Sequence, residues 1–349
     1  MLLPDPMPRW KMLAWLMNPM APGILALARW KSGSSSVTRC GSFARTPMKA
    51  WVLKRLGGPL ELVDLPEPEA EEGEAVLRVE AVGLNFADHL MRLGAYLTRL
   101  HPPFIPGMEV VGVVEGRRYA ALGPQGGLAE RVAVPKGALL PLPEGLSPEE
   151  AAAFPVSFLT AYLALKRAQA RPGEKVLVQA AAGALGTAAV QVARAMGLRV
   201  LAAASRPEKL ALPLALGAEE AATYAEVPER AKAWGGLDLV LEVRGKEVEE
   251  SLGLLAHGGR LVYIGAAEGD VAPIPPLRLM RRNLAVLGFW LTPLLREGAL
   301  VEEALGFLLP RLGRELRPVV GPVFPFAEAE AAFRALLDRG HTGKVVVRL

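Results

Sequence analysis

The segment Val176–Gly186, Val-Leu-Val-Gln-Ala-Ala-Ala-Gly-Ala-Leu-Gly, carries the clearest structural signal in this chain. Its pattern predicts an apolar strand, a turn of small residues and the first turn of a helix. Small side chains let a ligand approach the backbone closely, and a helix N-terminus presents free N–H groups with a partial positive charge. This order of elements is typical of a loop that binds the pyrophosphate of a dinucleotide. Two-glycine turns between a strand and a helix also serve plain packing, so the surrounding elements matter.

The elements around this loop favour the dinucleotide. We expect helices over Thr187–Met196, from Pro207 onward and over Val248–Leu255. They alternate with near-continuous apolar strands, expected at Lys175–Ala180, Arg199–Ala203, Leu237–Glu242 and Arg260–Ile264. Alternation of this kind indicates a parallel sheet covered by helices on both faces, which is the doubly wound α/β arrangement of a Rossmann domain.

The chain before this region has a different pattern. Short alternating strands are expected at Lys49–Lys54, Ala75–Ala81 and Val110–Glu115, with a helical pattern over Leu84–Leu93. The tail ends in a further strand, Lys344–Arg348, which we expect to rejoin this β-rich part.

The end of the second Rossmann strand bears on the type of dinucleotide. An NAD site places an Asp or Glu there to hold the ribose 2′-hydroxyl. The sequence Ala203–Lys209, Ala-Ala-Ser-Arg-Pro-Glu-Lys, instead offers a hydroxyl and two cations, Arg206 and Lys209. Glu208 is the only acid nearby, and we assign it to the first turn of the following helix, where an acid complements the helix dipole, rather than to the ribose. The pattern therefore indicates a 2′-phosphate, and the other interpretation is a set of solvated charges at a helix start.

The overall charge does not indicate a nucleic-acid partner. The 349 residues carry a formal net charge of +4, but six basic residues and one acid give residues 1–47 a charge of +5. Residues 48–349 therefore carry −1, and a nearly neutral body offers no basic surface for nucleic acid. No window of 18 uninterrupted apolar residues occurs, so we expect no transmembrane helix.

Metal and hydrolase chemistry find no support in the sequence. Cys40 is the single cysteine, which excludes a disulfide framework and a cysteine-based zinc site. The histidines form no HxxxH or HExxH pair and stand alone at His89, His101, His257 and His341. There is no GxSxG elbow with a triad and no Walker loop. We therefore expect no metal site.

Residues 1–47 differ from the rest of the chain in composition. The first 30 residues hold three of the six tryptophans and five of the ten methionines, and Gly33–Ser36 has the composition of a linker. We expect a poorly ordered extension, or sequence upstream of a true start at Met48. A segment that binds a membrane surface or a partner is the alternative, because Trp10, Leu13 and Met17 fit one face of a short basic helix. A targeting role is the third interpretation.

Six short stretches between Met48 and Leu349 follow one another in the order of a known family. They are Ala81–Asp88, Ile105–Gly112, Leu159–Tyr162, Ala180–Gly186, Leu241–Gly245 and Gly343–Val346. Together they resemble the zinc-independent medium-chain dehydrogenases/reductases of the quinone oxidoreductase (zeta-crystallin-like) branch. The resemblance implies a GroES-like catalytic domain over residues 48–155 and 293–349, around an inserted Rossmann domain over residues 156–292.

The resemblance also implies roles for individual residues. Zinc-containing relatives have a cysteine ligand in place of Asn85 and a histidine ligand in place of Met108, so both ligands are absent here. The expected catalytic residues are Asn85 and Thr160, which would line the nicotinamide pocket, and Tyr96, which would face the substrate. Lys209 and Tyr224 would hold the 2′-phosphate. The full set expected to bind the cofactor is Asn85, Thr160, Ala182, Gly183, Ala184, Leu185, Gly186, Ser205, Arg206, Lys209, Tyr224, Gly265, Arg339 and Lys344.

The sequence departs from the family pattern at three places. Glu115 and Gly116 run almost directly into Arg117, so the loop after the third catalytic-domain strand is shortened. Ala184 replaces the second glycine of the nucleotide motif, and Pro213 is expected to interrupt the helix after the second Rossmann strand. The shortened loop affects the outer wall of the cleft and therefore the choice of substrate.

The activity implied by the resemblance is NADPH-dependent, two-electron reduction of an electron-poor conjugated acceptor, a quinone or an α,β-unsaturated carbonyl. Tyr96 is the expected proton donor, with water or a ribose hydroxyl as alternative donors. An equally supported interpretation is that Tyr96 only packs in the cleft between the domains. The alternative activity is reduction of alkenal, enone or enoyl double bonds. The alternative from another class is a nucleotide-binding regulatory or structural protein without turnover.

The expected partners are a small-molecule substrate and a second copy of the chain. The segment Leu284–Leu291, Leu-Ala-Val-Leu-Gly-Phe-Trp-Leu, is apolar on both faces, and Phe289 and Trp290 are costly to expose. Relatives pair the edge strands of their Rossmann sheets across a two-fold axis, which removes an open edge. We expect a cytoplasmic homodimer that uses this strand.

Overall fold

The computed structural model describes residues 46–349 except residues 124, 247, 270–272 and 339. The N-terminal extension therefore lies outside the described residues, apart from its last two. The chain forms two compact units. The first combines the described chain up to Pro155 with Leu295–Val301 and Val320–Leu349, and the second combines Val156–Leu294 with Glu302–Val319. None of the helices described is both long and apolar enough to cross a membrane.

The strands and helices follow one another along the whole described chain. The strands are β1 (Pro47–Leu53), β2 (Leu60–Pro66), β3 (Glu74–Gly83), β4 (Glu109–Val114), β5 (Arg117–Leu122), β6 (Arg131–Pro135), β7 (Leu140–Pro141), β8 (Lys175–Val178), β9 (Arg199–Ala204), β10 (Glu220–Thr223), β11 (Leu237–Glu242), β12 (Leu255–Tyr263), β13 (Ala285–Gly288), β14 (Val320–Pro325) and β15 (Lys344–Arg348). The α-helices are α1 (Phe86–Leu93), α2 (Pro148–Ala152), α3 (Pro155–Arg167), α4 (Ala184–Ala195), α5 (Ala211–Ala215), α6 (Val227–Ala233), α7 (Val248–Leu254), α8 (Pro276–Met280), α9 (Leu291–Leu294), α10 (Gly298–Leu308) and α11 (Ala329–Leu337).

The first unit is built on a mixed sheet of seven strands. Its order is β14-β15-β3-β4-β5-β7, and β6 pairs with β3. The C-terminal strand β15 runs antiparallel to β3, with Val347 opposite Val82, so the prediction that the tail rejoins the β-rich part is confirmed. Side chains of β3 and β15 are buried with Phe104 and Phe333 in one core. β4 and β15 each have four consecutive buried residues, so both faces of the sheet are covered there.

The second unit contains the predicted parallel sheet. Its six strands have the order β10-β9-β8-β11-β12-β13, and every neighbouring pair is parallel. The central strands are buried on both faces, which explains their continuous apolar sequences. The strand order reverses between β8 and β11. In sheets of this kind ligands bind at the carboxyl ends of the strands on either side of that reversal.

Two units were expected, but one segment belongs to the other unit. We expected residues 293–349 to return to the catalytic domain, whereas Glu302–Val319 packs with the Rossmann-like unit. Side-chain contacts explain this placement. Glu303 accepts hydrogen bonds from Tyr162 at 3.2 Å and Lys166 at 2.5 Å, and Gln191 Nε2 donates to Arg317 O at 3.0 Å.

The shortened loop after β4 is a tight hairpin turn. Glu115 and Gly116 have φ of 49° and 80°, and β4 pairs directly with β5. Two consecutive residues with positive φ give the turn whose twist matches that of the flanking strands.

The α-helix expected to open at Pro207 begins four residues later. Residues Pro207–Lys209 form a single 3-10 turn, and α5 begins only at Ala211. The helical stretch from Pro207 is interrupted at Leu210, three residues before Pro213, and Pro213 lies in the first turn of α5, where its missing N–H has no intrahelical partner.

Candidate functional site

The turn between β8 and α4 has the form of a phosphate loop. α4 begins at Ala184, three residues before the predicted start at Thr187, and Gly183 is its N-cap residue. Gly183 N donates to Ala180 O at 2.9 Å, and Ala181 N donates to Ala203 O of β9 at 2.9 Å. No side chain among the described residues caps α4, and the amides of its first turn have no intrahelical partner. The predicted residues Ala182, Gly183, Ala184, Leu185 and Gly186 thus surround a helix N-terminus suited to an anion.

Gly186 lies directly against the preceding loop. A Cβ at Gly186 would lie 2.1 Å from Ala180 O and 2.5 Å from Ala181 Cα, which are both backbone atoms. At Gly183 a Cβ would meet only Ala180 O, at 3.3 Å. Gly186 is therefore required by close packing of the helix on the loop, while Gly183 has more room.

We expect Gly186→Ala to push α4 away from the loop. The free energy of unfolding should fall by about 1–3 kcal/mol, the usual cost of overpacking, and dinucleotide affinity should fall with it. Gly183→Ala is the matched control, because Gly183 has an ordinary φ of −82°. Chemical denaturation and equilibrium binding of the dinucleotide measure the two effects. Equal losses of the free energy of unfolding for the two variants would contradict this account of the loop.

Tyr224 connects the phosphate loop to the next strands of the sheet. Its hydroxyl accepts a hydrogen bond from Ala180 N at 3.0 Å, and the guanidinium of Arg244 lies 4.0 Å above its ring. Arg244 Nη2 in turn donates to Glu268 at 2.9 Å. Burial raises the pKa of Tyr224, so the phenol stays neutral at physiological pH. These contacts link the loops that follow β8, β10, β11 and β12 at the carboxyl edge of the sheet.

The predicted cationic residues lie beside this edge. Ser205 and Arg206 are exposed and follow the end of β9 at Ala204, whereas Lys209 is only 9% exposed. Glu208 forms an ion pair with Arg206 at 3.1 Å. Gly265 is at the same edge, because a Cβ there would lie 3.7 Å from Val243 O in the loop after β11. Arg339 lies outside the described residues, so its predicted phosphate contact remains a prediction.

A buried carboxylate lies beneath the loop after β11, and the sequence analysis did not identify it. Glu242 is fully buried and accepts hydrogen bonds from four donors. They are Gln179 Nε2 at 2.9 Å, Ser251 Oγ at 2.5 Å, Arg244 N at 2.9 Å and Gly245 N at 3.0 Å. Gln179 precedes the phosphate loop, so Glu242 holds together the two loops on either side of the strand reversal. The sequence feature that could have identified Glu242 is its position as the single acid at the end of the apolar strand Leu237–Glu242.

A second buried polar cluster lies in the first unit, around Asn85. Asn85 Nδ2 donates to Glu109 Oε2 at 3.0 Å and to Gly83 O at 3.2 Å. Asn85 Oδ1 accepts from Lys344 Nζ at 2.7 Å, and Lys344 also forms an ion pair with Glu109. Lys344 was expected to bind the cofactor, but its side chain is fully buried in this ion pair and offers no exposed cation to a phosphate.

Asp88 completes the cluster from α1. Its carboxylate accepts from Asn85 N at 2.8 Å and from Met108 N at 3.0 Å, so it fixes both positions at which zinc-containing relatives have ligands. Burial raises the pKa of Asp88 to about 6, against the lowering effect of these two N–H groups and Lys344. Within the described ranges, no three His, Cys, Asp or Glu side chains are arranged to hold a metal ion.

The other two expected catalytic residues have different surroundings. Tyr96 lies in the loop after α1, is half-buried and packs against the core of the first unit. Thr160 is on α3 of the second unit and is 7% exposed. The structure therefore brings Asn85 together with Lys344, and the phosphate loop together with Tyr224, each within one unit.

Two family models match this chain. The alcohol dehydrogenase GroES-like domain matches residues 71–144, and the zinc-binding dehydrogenase model matches residues 184–306. Their order agrees with a β-rich first unit followed by a nucleotide-binding sheet.

Individual relatives extend the match over most of the chain. Quinone oxidoreductase-like protein 2 of Bos taurus is 35% identical over 332 residues, which are 89% of this chain and 94% of that protein. The quinone oxidoreductase of Sus scrofa is 31% identical over 328 residues, 86% of this chain and 98% of that protein. The quinone oxidoreductase from Thermus thermophilus, whose crystal structures include its complex with NADPH, is 97% identical with a TM-score of 0.84. That match covers 86% of this chain and 100% of the solved chain.

These matches confirm the resemblance to the quinone oxidoreductases. The chain belongs to the quinone oxidoreductase family of medium-chain dehydrogenases/reductases.

Proposed function

We propose that this protein reduces quinones and related conjugated carbonyl compounds with NADPH. The observation that carries the proposal is the 97% identity to a quinone oxidoreductase that was solved with NADPH. The expected activity on enones belongs to the same chemistry, because both acceptors take a hydride and develop negative charge on oxygen.

The residues of the second unit fit the dinucleotide. The uncapped N-terminus of α4 offers backbone donors for a pyrophosphate, and no acid ends β9 to hold a ribose 2′-hydroxyl. Arg206 and Lys209 follow that strand instead, which favours a 2′-phosphate. The residues proposed to hold the cofactor are Ala182–Gly186, Ser205, Arg206, Lys209, Tyr224 and Gly265, with Asn85 and Thr160 toward the nicotinamide and Arg339 as a further phosphate contact.

The catalytic step requires a hydride and a proton. NADPH supplies the hydride when it is bound. We propose that Tyr96 donates the proton, or a hydrogen bond, to the acceptor oxygen as negative charge develops there. Asn85 and Thr160 position the reacting groups, and no metal takes part, because Asn85 and Met108 stand where zinc-containing relatives have ligands.

The experiment that tests the function is NADPH oxidation with a panel of quinones and enones. Turnover with quinones, unchanged after exhaustive chelation, would support a zinc-independent quinone reductase. Turnover with enones only would favour the alternative double-bond reductase. Binding of NADPH without any turnover would favour a regulatory protein, and activity that follows one tightly held zinc per chain would contradict the zinc-independent mechanism.

We expect Lys209→Ala to weaken NADPH binding by about 1–3 kcal/mol, the range for a charge-assisted hydrogen bond, and to leave NADH binding nearly unchanged. The reason is that only NADPH has the 2′-phosphate. Lys232→Ala, at an exposed lysine of the same unit, is the control. Equilibrium binding of both cofactors measures the effect, and equal losses for NADPH and NADH would show that Lys209 does not contact the 2′-phosphate.

We also propose a homodimer that pairs the β13 strands of two copies. β13 is an edge strand of the parallel sheet, and its residues Ala285–Leu287 are half-exposed. Phe289 contributes less to the proposed dimer interface than the sequence suggested, because it is 8% exposed and therefore already buried within the chain. Sedimentation at micromolar concentration should show a dimer that Leu287→Lys dissociates. If the protein without substitutions sediments as a monomer at this concentration, the proposal is contradicted.

A further inference from the structure

Ala180, at the entrance of the phosphate loop, has a left-handed backbone conformation with φ of 48°. For a residue with a Cβ this conformation costs free energy, and it persists only where the surroundings hold it in place. The carbonyl of Ala180 accepts a hydrogen bond from Gly183 N at 2.9 Å. Its amide donates to the hydroxyl of Tyr224 at 3.0 Å. A side chain from the loop after β10 therefore helps to hold the strained residue.

The conformation of Ala180 matters for the position of α4. A Cβ at Gly186 would lie 2.1 Å from Ala180 O, so the first turn of the helix packs directly on this peptide group. The same carbonyl accepts from the amide of Gly183, the N-cap residue of the helix. A change in the backbone of Ala180 therefore displaces the amides of the first turn of α4, which are the groups proposed to bind a pyrophosphate.

The ring of Tyr224 is in turn supported by Arg244. Tyr224 is half-buried in the turn after β10, and the guanidinium of Arg244 lies 4.0 Å from the centre of its ring. A guanidinium stacks on an aromatic face and is attracted by its π electrons, and the attraction is stronger where water is excluded. The side chain of Arg244 is only 14% exposed. The contact therefore restricts the directions in which the phenol can point.

Arg244 is itself held from two sides. Its Nη2 donates to Glu268 at 2.9 Å, and its backbone N donates to the buried carboxylate of Glu242 at 2.9 Å. The backbones of the two loops are joined as well, because Glu268 N donates to Arg244 O at 2.8 Å. Holding a long exposed side chain in one geometry costs entropy, which weakens most surface contacts of arginine. Here the ion pair and the backbone contacts keep the guanidinium over the ring of Tyr224.

We propose that Arg244 is a positioning residue for the phosphate loop and acts through Tyr224. It fixes the phenol where the hydroxyl accepts from Ala180 N, and so preserves the loop conformation that presents the amides of α4. The ligand of these amides is the pyrophosphate of a dinucleotide, so the inference rests on the proposed function. Tyr224 then serves NADH and NADPH alike, in addition to the 2′-phosphate contact that the resemblance implies. All of these residues belong to the second unit.

The first test removes the acceptor of Ala180 N. Tyr224→Phe should weaken equilibrium NADH binding about three- to tenfold, the worth of one ordinary hydrogen bond. NADH is the probe because it shares the pyrophosphate but has no 2′-phosphate. Tyr162→Phe is the matched control, because it removes a hydroxyl that donates to Glu303 at 3.2 Å in the same unit, and NADH affinity should not change. Unchanged NADH binding by Tyr224→Phe, a loss confined to NADPH, or an equal loss in Tyr162→Phe would overturn the proposal.

The second test asks whether Arg244 acts through Tyr224. Arg244→Met keeps an unbranched apolar stem but removes the stacked guanidinium, so the affinities for NADH and NADPH should fall by the same factor, about three- to tenfold. In this background Tyr224→Phe should cause at most about a twofold further loss, because the two residues act on the same hydrogen bond. The full loss in both backgrounds would show that Arg244 acts on the cofactor through its charge alone, and it would overturn the proposal.

The ion pair with Glu268 is tested separately from the stacking. Glu268→Gln keeps an acceptor oxygen for Arg244 Nη2 and leaves the guanidinium over the ring, so NADH affinity should stay within about twofold of the unchanged protein. A loss as large as that of Arg244→Met would mean that the ion pair determines affinity, against the proposal. If Arg244→Met does not fold, Arg244→Lys replaces it in the second test, because lysine retains a charge for Glu268 but has no planar group to stack on Tyr224.

These readouts separate the inference from the proposed function. They measure dinucleotide binding without turnover, so a protein that binds NADH and NADPH but reduces no quinone still answers them. An Arg244→Met variant with a lowered melting temperature and unchanged NADH affinity would assign Arg244 a purely structural role. That result would overturn the inference while the function stands.

Discussion

Lys344→Met is expected to lower the free energy of unfolding by about 3–5 kcal/mol, the cost of leaving a buried charge without its partner. The variant keeps most of the side-chain volume but removes the ammonium that pairs with Glu109. It also removes a positive charge that lowers the pKa of Asp88, so a second buried carboxylate becomes harder to ionise. Chemical denaturation at neutral pH measures the loss.

The control for this prediction removes both charges. Lys344→Met combined with Glu109→Leu should recover part of the lost stability, because it leaves neither charge buried without its partner. The recovery is not complete, since the Asn85 amide loses two hydrogen-bond partners. Lys166→Met should change stability little, since the Lys166–Glu303 pair is 46% exposed on each side. Equal destabilisation in the single and double variants would mean that packing, rather than the uncompensated charge, causes the loss.

Glu242→Leu is expected to be the most damaging single change in the nucleotide-binding unit. It leaves four donors without their acceptor, namely Gln179 Nε2, Ser251 Oγ and the amides of Arg244 and Gly245. An unsatisfied buried donor costs about 1–3 kcal/mol, so even with relaxation the free energy of unfolding should fall by at least about 3 kcal/mol. NADPH affinity should fall as well, because the loops on either side of the strand reversal lose their common anchor.

Two variants bracket this effect. Glu242→Gln keeps one acceptor oxygen and the shape of the side chain, so its loss should be intermediate. Glu219→Leu removes an exposed carboxylate that pairs with Arg199, and it should leave the unfolding transition almost unchanged. Thermal unfolding and equilibrium NADPH binding distinguish the variants Glu242→Leu, Glu242→Gln and Glu219→Leu. Full stability of Glu242→Leu would contradict the anchoring role of this carboxylate.

The sequence predicted the elements well where one pattern covered a whole element. The strands around the phosphate loop are apolar throughout because both faces of the sheet are buried, and this signal is local. The strand Lys344–Arg348 was also evident locally, from three consecutive valines, and its expected return to the β-rich part is confirmed by its pairing with β3. Boundaries were less exact: α4 begins at Ala184 because Gly183 is its N-cap, while the sequence suggested Thr187.

The buried polar clusters were not predicted, because their members are far apart in sequence. Glu109 and Lys344 are separated by 235 residues, and Gln179 and Glu242 by 63. Each is a single polar residue within or beside an apolar strand, which a propensity argument treats as an exception. The resemblance to a family identified Asn85 and Lys344 as site residues, but not that their side chains are hydrogen-bonded to each other.

The placement of Glu302–Val319 has a consequence for protein engineering. The chain passes from one unit to the other after Pro155, Leu294, Val301 and Val319. A fragment that ends at Leu294 would lack Glu303 and Arg317, and Tyr162 and Gln191 would lose their partners. The nucleotide-binding unit therefore cannot be transferred as one continuous fragment without losing these contacts. Grafting it onto another catalytic scaffold requires splicing in the second segment or designing replacements for its contacts.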